Sequence, residues 1–119
     1  MTLDEVLTIN QSIQEVSVNA NTIRHLDRLN SIISKINEMV ARKTDPVKTL
    51  AYILRAFPVE QPFSNGNHRT AYVIFVRYSI YLGYAPLVFK ITFRDEEFIR
   101  FVEFLTEEQV EEIIRRHLL

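Results

Sequence analysis

Between Pro58 and Ala71 the chain reads Pro-Val-Glu-Gln-Pro-Phe-Ser-Asn-Gly-Asn-His-Arg-Thr-Ala. This is the segment whose residue types and spacing could do chemistry. A proline-bearing loop runs into Gly66 and directly into a helix start at Asn67. The first turn of a helix carries backbone N–H groups without helical partners and a partial positive charge. A glycine ahead of it lets an anion approach the main chain closely. Arg69 falls in that turn, where a guanidinium can clamp two phosphate oxygens at once, and Asn67 and His68 add donors. The chemistry is that of a phosphate cradle. The plainer alternative has Asn67 capping the helix, Arg69 as a solvated charge and Phe63 plugging the core under the loop.

The rest of the chain offers little competing chemistry. There is no cysteine among the 119 residues, which excludes disulfides, thiolate metal sites and cysteine nucleophiles. His25 and His117 sit on helical patterns far from the loop in sequence and read as bystanders. Net charge is −1, with 47 % hydrophobic and 24 % charged residues, values of an ordinary soluble domain that does not bind nucleic acid through charge alone. Residues 1–90 carry ten basic and seven acidic side chains, and residues 91–119 carry four and eight. The acidic end reads as a solvated helix face, with a dock for a basic partner as the alternative. The start lacks a signal-peptide pattern. The apolar run Ala71–Phe89 contains Arg77, Ser79, Gly83 and Pro86, so it reads as a buried helix and turn rather than a membrane span. A cytoplasmic protein without membrane contact is expected.

The elements that must position the loop are helices. Thr2 and Glu5 form a capping box opening a helix of about fifteen residues, with Leu3, Val6, Leu7, Ile13 and Val16 inward and Asn10 breaking the stripe. After a polar stretch, Ser17–Asn21, the second helix repeats Ile23, Leu26, Leu29, Ile32, Ile33, Ile36, Met39 and Val40. Asp45-Pro46 starts a third, expected to end near Phe57 because Pro58 and Pro62 oppose regular helix. Its buried stripe is Val47, Leu50, Ala51, Leu54 and Phe57. The fourth begins at Asn67, is hydrophobic nearly all round, and ends at Gly83 as its C′ residue. Residues 85–93 are ambiguous, Thr92 with Asp95 resembles a helix start, and Thr106 with Gln109 is a second capping box. Val110, Ile113, Ile114 and Leu118 point the last helix inward. The expected fold is one all-α domain over residues 1–119, a compact bundle of about six helices around the hydrophobic fourth.

The order Gln61-Pro62-Phe63-Ser64-Asn65-Gly66-Asn67-His68-Arg69-Thr70-Ala71 resembles the signature of the Fic/Doc (death-on-curing) family, H-P-F-x-[DE]-G-N-[GK]-R, often followed by T-A. Pro62, Phe63, Gly66, Asn67, Arg69 and the pair Thr70-Ala71 agree with it. So does the setting, a motif that follows one helix and opens a hydrophobic second one in a small helical chain. The resemblance extends over residues 3–119 and is carried by 47–83. It implies a transferase fold that moves AMP (AMPylation), or in the Doc branch a phosphate, from a nucleoside triphosphate such as ATP, with Mg²⁺, onto a protein hydroxyl. It also implies a protein target and, for a Doc-like toxin, an antitoxin partner. Carried over, Gly66, Asn67 and Arg69 bind phosphate, His68 stands at the Gly/Lys position and adds a contact, and Phe63 anchors the loop.

The departures fall where the chemistry is decided. Gln61 stands at the position of the histidine that deprotonates the attacking hydroxyl, and an amide cannot take that proton. Loss of a general base costs about 10²–10⁴-fold in rate. Asn65 stands at the position of the acid that holds Mg²⁺, and it brings no charge to a cation that prefers carboxylate and phosphate oxygens. Glu60 is the nearest substitute base if it points into the cleft. Ser34 to Glu38 fits part of the family's inhibitory helix motif, but Met39 fails its last position. The resemblance therefore implies a degenerate domain, a pseudoenzyme that keeps a phosphate or nucleotide loop. An active transferase with altered chemistry is the alternative.

Overall fold

The computed structural model describes residues 1–13, 23–84 and 96–118. In chain order these form α1 (Leu3–Ile13), α2 (Leu26–Ala41), α3 (Pro46–Glu60), α4 (Asn67–Tyr81), α5 (Glu96–Arg100), a 3₁₀ turn (Val102–Phe104) and α6 (Glu107–Leu118). The bundle is all-α. Among the described residues the sole β pairing is a bridge between Ile23 and Phe63.

The start signals read from the sequence act as expected. Asp45 Oδ1 accepts from the Val47 N–H at 3.0 Å, with Pro46 in the first turn of α3. Thr106 and Gln109 form a complete capping box, each side chain bonding the other's main-chain N–H at 3.1 and 2.9 Å. At the first helix Thr2 Oγ1 accepts from the Glu5 N–H at 3.2 Å. Gly83, at φ 90°, closes α4: its N–H reaches the Ile80 carbonyl and the Tyr84 N–H reaches that of Ser79, which satisfies carbonyls the helix leaves open. Lys43 closes α2 in the same way at φ 54°, a conformation that favours glycine.

The core runs along α3. Its whole expected stripe is buried, together with Thr49, Ile53, Ala56 and Pro58. Helices α2, α4 and α6 and the 3₁₀ turn all pack on it, so the hydrophobic centre expected at residues 67–81 is shared between α3 and α4. Leu29, Ile32, Ile33 and Ile36 supply the buried face of α2, and Val110 and Ile114 that of α6. At full burial each such side chain contributes about 1.5–3 kcal/mol. No helix among the described residues is long and apolar enough to cross a membrane.

Two boundaries differ from the sequence reading. Helix α3 continues through Pro58 to Glu60. Proline removes one helical N–H, but in the last turn a single lost bond is tolerated, and the Gln61 N–H still reaches the Phe57 carbonyl at 2.8 Å. Ile23 does not belong to α2. The Arg24 and His25 N–H groups instead donate to the Pro62 carbonyl at 2.7 and 3.0 Å, so pairing with the loop displaces the helical turn there. The expectations for Val16, for 17–21, for the segment 85–93 with its start at Thr92 and Asp95, and for the Leu118 side chain lie outside the described residues.

Asp45 also joins α3 to α6, its Oδ2 lying 2.6 Å from Arg115 Nη2. That hydrogen bond, then the Val47 N–H, hold its carboxyl below the usual range against an opposing push from burial. A depressed folded value means the contribution is present above the unfolded carboxyl value of about 3.9 and is lost as the pH falls through the folded one. In thermal melts from neutral to acidic pH, Asp45→Asn should lose less stability below roughly pH 4 than the native chain. Parallel curves would contradict this.

Candidate functional site

The loop between α3 and α4 is fixed from four sides. Phe63 is 1 % exposed and Pro62 is buried beside it, so the loop is anchored in the core as the sequence suggested. A buried phenylalanine carries its own main-chain polar groups toward the interior, where they need partners. Asn67 supplies both. Its Oδ1 accepts from the Phe63 N–H at 3.1 Å and its Nδ2 donates to the Phe63 carbonyl at 2.9 Å. The Pro62 carbonyl accepts the two N–H groups of Arg24 and His25. On the α3 side, Arg28 Nη1 donates to the Glu60 carbonyl at 3.1 Å, with its Nε 3.8 Å from the Glu60 carboxylate.

The fourth tie is Asn10, which interrupts the apolar stripe of α1. It is wholly buried. Its Nδ2 donates to the Asn65 carbonyl and to Thr70 Oγ1, both at 3.1 Å. Helix α1 thus holds the loop at Asn65 and α4 at Thr70. The available signal was a lone amide where the helical period demands an apolar residue.

Gly66 precedes α4 at φ 78°, a left-handed conformation that glycine adopts without strain. Its carbonyl receives the first helical bond, from Thr70 at 2.9 Å. The Asn67, His68 and Arg69 main-chain N–H groups have no acceptor among the described residues. Arg69 is exposed and forms no ion pair there. Main-chain donors and a free guanidinium therefore meet on one turn, a combination able to hold an oxyanion. The Asn67 side chain is committed to Phe63, so this residue offers an anion its main-chain N–H only. His68 Nε2 donates to Glu103 Oε2 at 2.7 Å, so its imidazole is shared with a carboxylate from the 3₁₀ turn.

Gln61 and Asn65 bring neither an imidazole nor a carboxylate to the loop. Gln61 is exposed at φ 46° as the residue closing α3. Asn65 Oδ1 accepts from the Gly66 N–H at 2.9 Å, which turns the amide oxygen back onto its own loop. No carboxylate stands in the loop after Glu60, and Glu60 faces Arg28. No group of three or more His, Asp or Glu among the described residues could hold a metal. The loop offers a phosphate oxygen main-chain donors and a guanidinium and offers Mg²⁺ no carboxylate of its own, and the Glu103 carboxylate beside it is bonded to His68. His25 precedes α2 and meets the loop through its main-chain N–H on Pro62, and His117 Nδ1 bonds the Ile113 carbonyl at 2.8 Å. Ser34 is exposed on α2, and Glu38 pairs with Arg42 at 3.2 Å.

Asn10→Leu, which keeps the volume but removes the donors, should lower stability by about 1–3 kcal/mol. Urea unfolding measures it, and an unchanged midpoint would contradict the role assigned to this amide.

No protein-family model, curated protein or solved structure matches the chain.

Proposed function

We propose that the chain is a Fic/Doc-like domain that keeps the anion-holding part of the site and lacks the parts that move a proton and seat Mg²⁺. The observation that carries this reading is the Arg69 guanidinium beside the N–H groups of Asn67, His68 and Arg69, all without partners among the described residues. The motif order Pro62-Phe63…Gly66-Asn67…Arg69-Thr70-Ala71 supports the kinship. Gln61 and Asn65 support the loss of transfer. The ligand is the phosphate chain of a nucleotide such as ATP, bound through its oxyanions without a cation. When bound, a nucleoside triphosphate would supply a transferable phosphoryl or nucleotidyl group. The chain's own residues hold that group, and Gln61 provides no base for an acceptor hydroxyl.

Glu103 tunes the site. Its carboxylate bonds a residue of the same first turn and opposes a second anion there by Coulomb repulsion. Calorimetry with pyrophosphate and with ATP, with and without Mg²⁺, tests the reading. Binding should not need Mg²⁺. Arg69→Ala should weaken it about 10–100-fold, the loss of one or two charge-assisted hydrogen bonds, and Glu103→Gln should strengthen it several-fold. Absence of binding, or an affinity indifferent to Arg69, would overturn the proposal. With α- or γ-labelled ATP and a lysate, the native chain should label no protein.

A further inference from the structure

The 3₁₀ turn offers solvent two large aromatic rings. Phe101 is 51 % and Phe104 77 % exposed, and their ring centroids lie 6.3 Å apart. The turn beneath them is firmly held. Val102 between them is 1 % exposed, Arg55 Nε donates to the Leu105 carbonyl at 2.7 Å, and Glu103 bonds His68. A rigid backbone that presents paired phenyl rings has a surface whose burial is favourable and costs little ordering entropy.

The charge around the rings says what covers them. Residues 98–112 hold five glutamates and one arginine, a net −4. Glu103 is bonded to His68, and Glu111 lies 4.0 Å from Arg115. Glu107, Glu108 and Glu112 form no ion pair among the described residues. Helix α6 buries Val110 and Ile114 against α3, while Glu108 and Glu112 are exposed. This field repels nucleic-acid phosphates and anionic lipid. It also repels the same acidic segment of a second copy.

We propose that Phe101, Phe104 and the acidic start of α6 form a docking surface for a Lys/Arg-rich amphipathic segment of another protein. The apolar side of that segment covers the phenyl rings, and its cations meet Glu107, Glu108 and Glu112. The surface adjoins the anion site through Glu103, which bonds His68, but the inference rests on exposure and charge and not on the function proposed above.

Fluorescence anisotropy with a labelled helical peptide of Lys and Leu at amphipathic spacing, and with its Glu/Leu twin, tests this. The Lys/Leu peptide should bind, and more weakly as salt is raised. Phe101→Ser with Phe104→Ser, and separately Glu108→Lys with Glu112→Lys, should each weaken binding at least about tenfold. Glu38→Gln, a carboxylate on α2 paired with Arg42, should leave it unchanged, and circular dichroism melts should show every variant folded. Failure of the Lys/Leu peptide to bind, equal binding of the twin, or binding indifferent to the phenylalanines would overturn the proposal. So would a dimer in sedimentation that the phenylalanine pair alone abolishes.

Discussion

The site depends on one side-chain amide closing on one peptide unit. Burying Phe63 in the core forces its main-chain N–H and C=O inward, and Asn67 answers both from the first turn of α4. An isosteric carboxylate could accept from the N–H but could not donate to the carbonyl. This constraint fixes where α4 begins. With the side chain of Asn67 turned back to the loop, the helix end is left uncapped from within. That the first-turn N–H groups of Asn67, His68 and Arg69 have no acceptor among the described residues follows from how the loop is held.

Electrostatics at that turn are a balance. The helix end and Arg69 favour an anion, while Glu103 brings a negative charge against His68 at the same place. The 3₁₀ turn that carries Glu103 packs on α3, as α4 does. The charge that opposes an anion is therefore positioned by the same core that positions the donors. Nearby, burial first, then the negative charges of Glu60 and Glu107, push the Tyr52 phenol up to about 12.

Much of the fold was legible because local signals agreed with tertiary need. The Asp45-Pro46 start, the Thr106–Gln109 box, the Gly83 stop and the stripes of α2 and α3 are each dictated within a few residues. What was not legible depends on partners distant in sequence. Ile23 leaves the helical pattern because its neighbours pair with Pro62, and Pro58 stays helical because the turn after it is closed by Gln61. Asn10 reads as a flaw until residues fifty-five and sixty positions away receive its hydrogens. In the site, residue types announced an anion loop, but only geometry assigns the Asn67 amide to the loop and gives His68 a carboxylate partner.

The central claim is that an oxyanion is held by the open first turn of α4. Nuclear magnetic resonance of the ¹⁵N-labelled chain, titrated with pyrophosphate, tests it residue by residue. The account predicts saturable shifts concentrated on the main-chain amides of Asn67, His68 and Arg69, and on the Arg69 side chain. Shifts centred on any other surface, or none at these residues at saturating pyrophosphate, would contradict it.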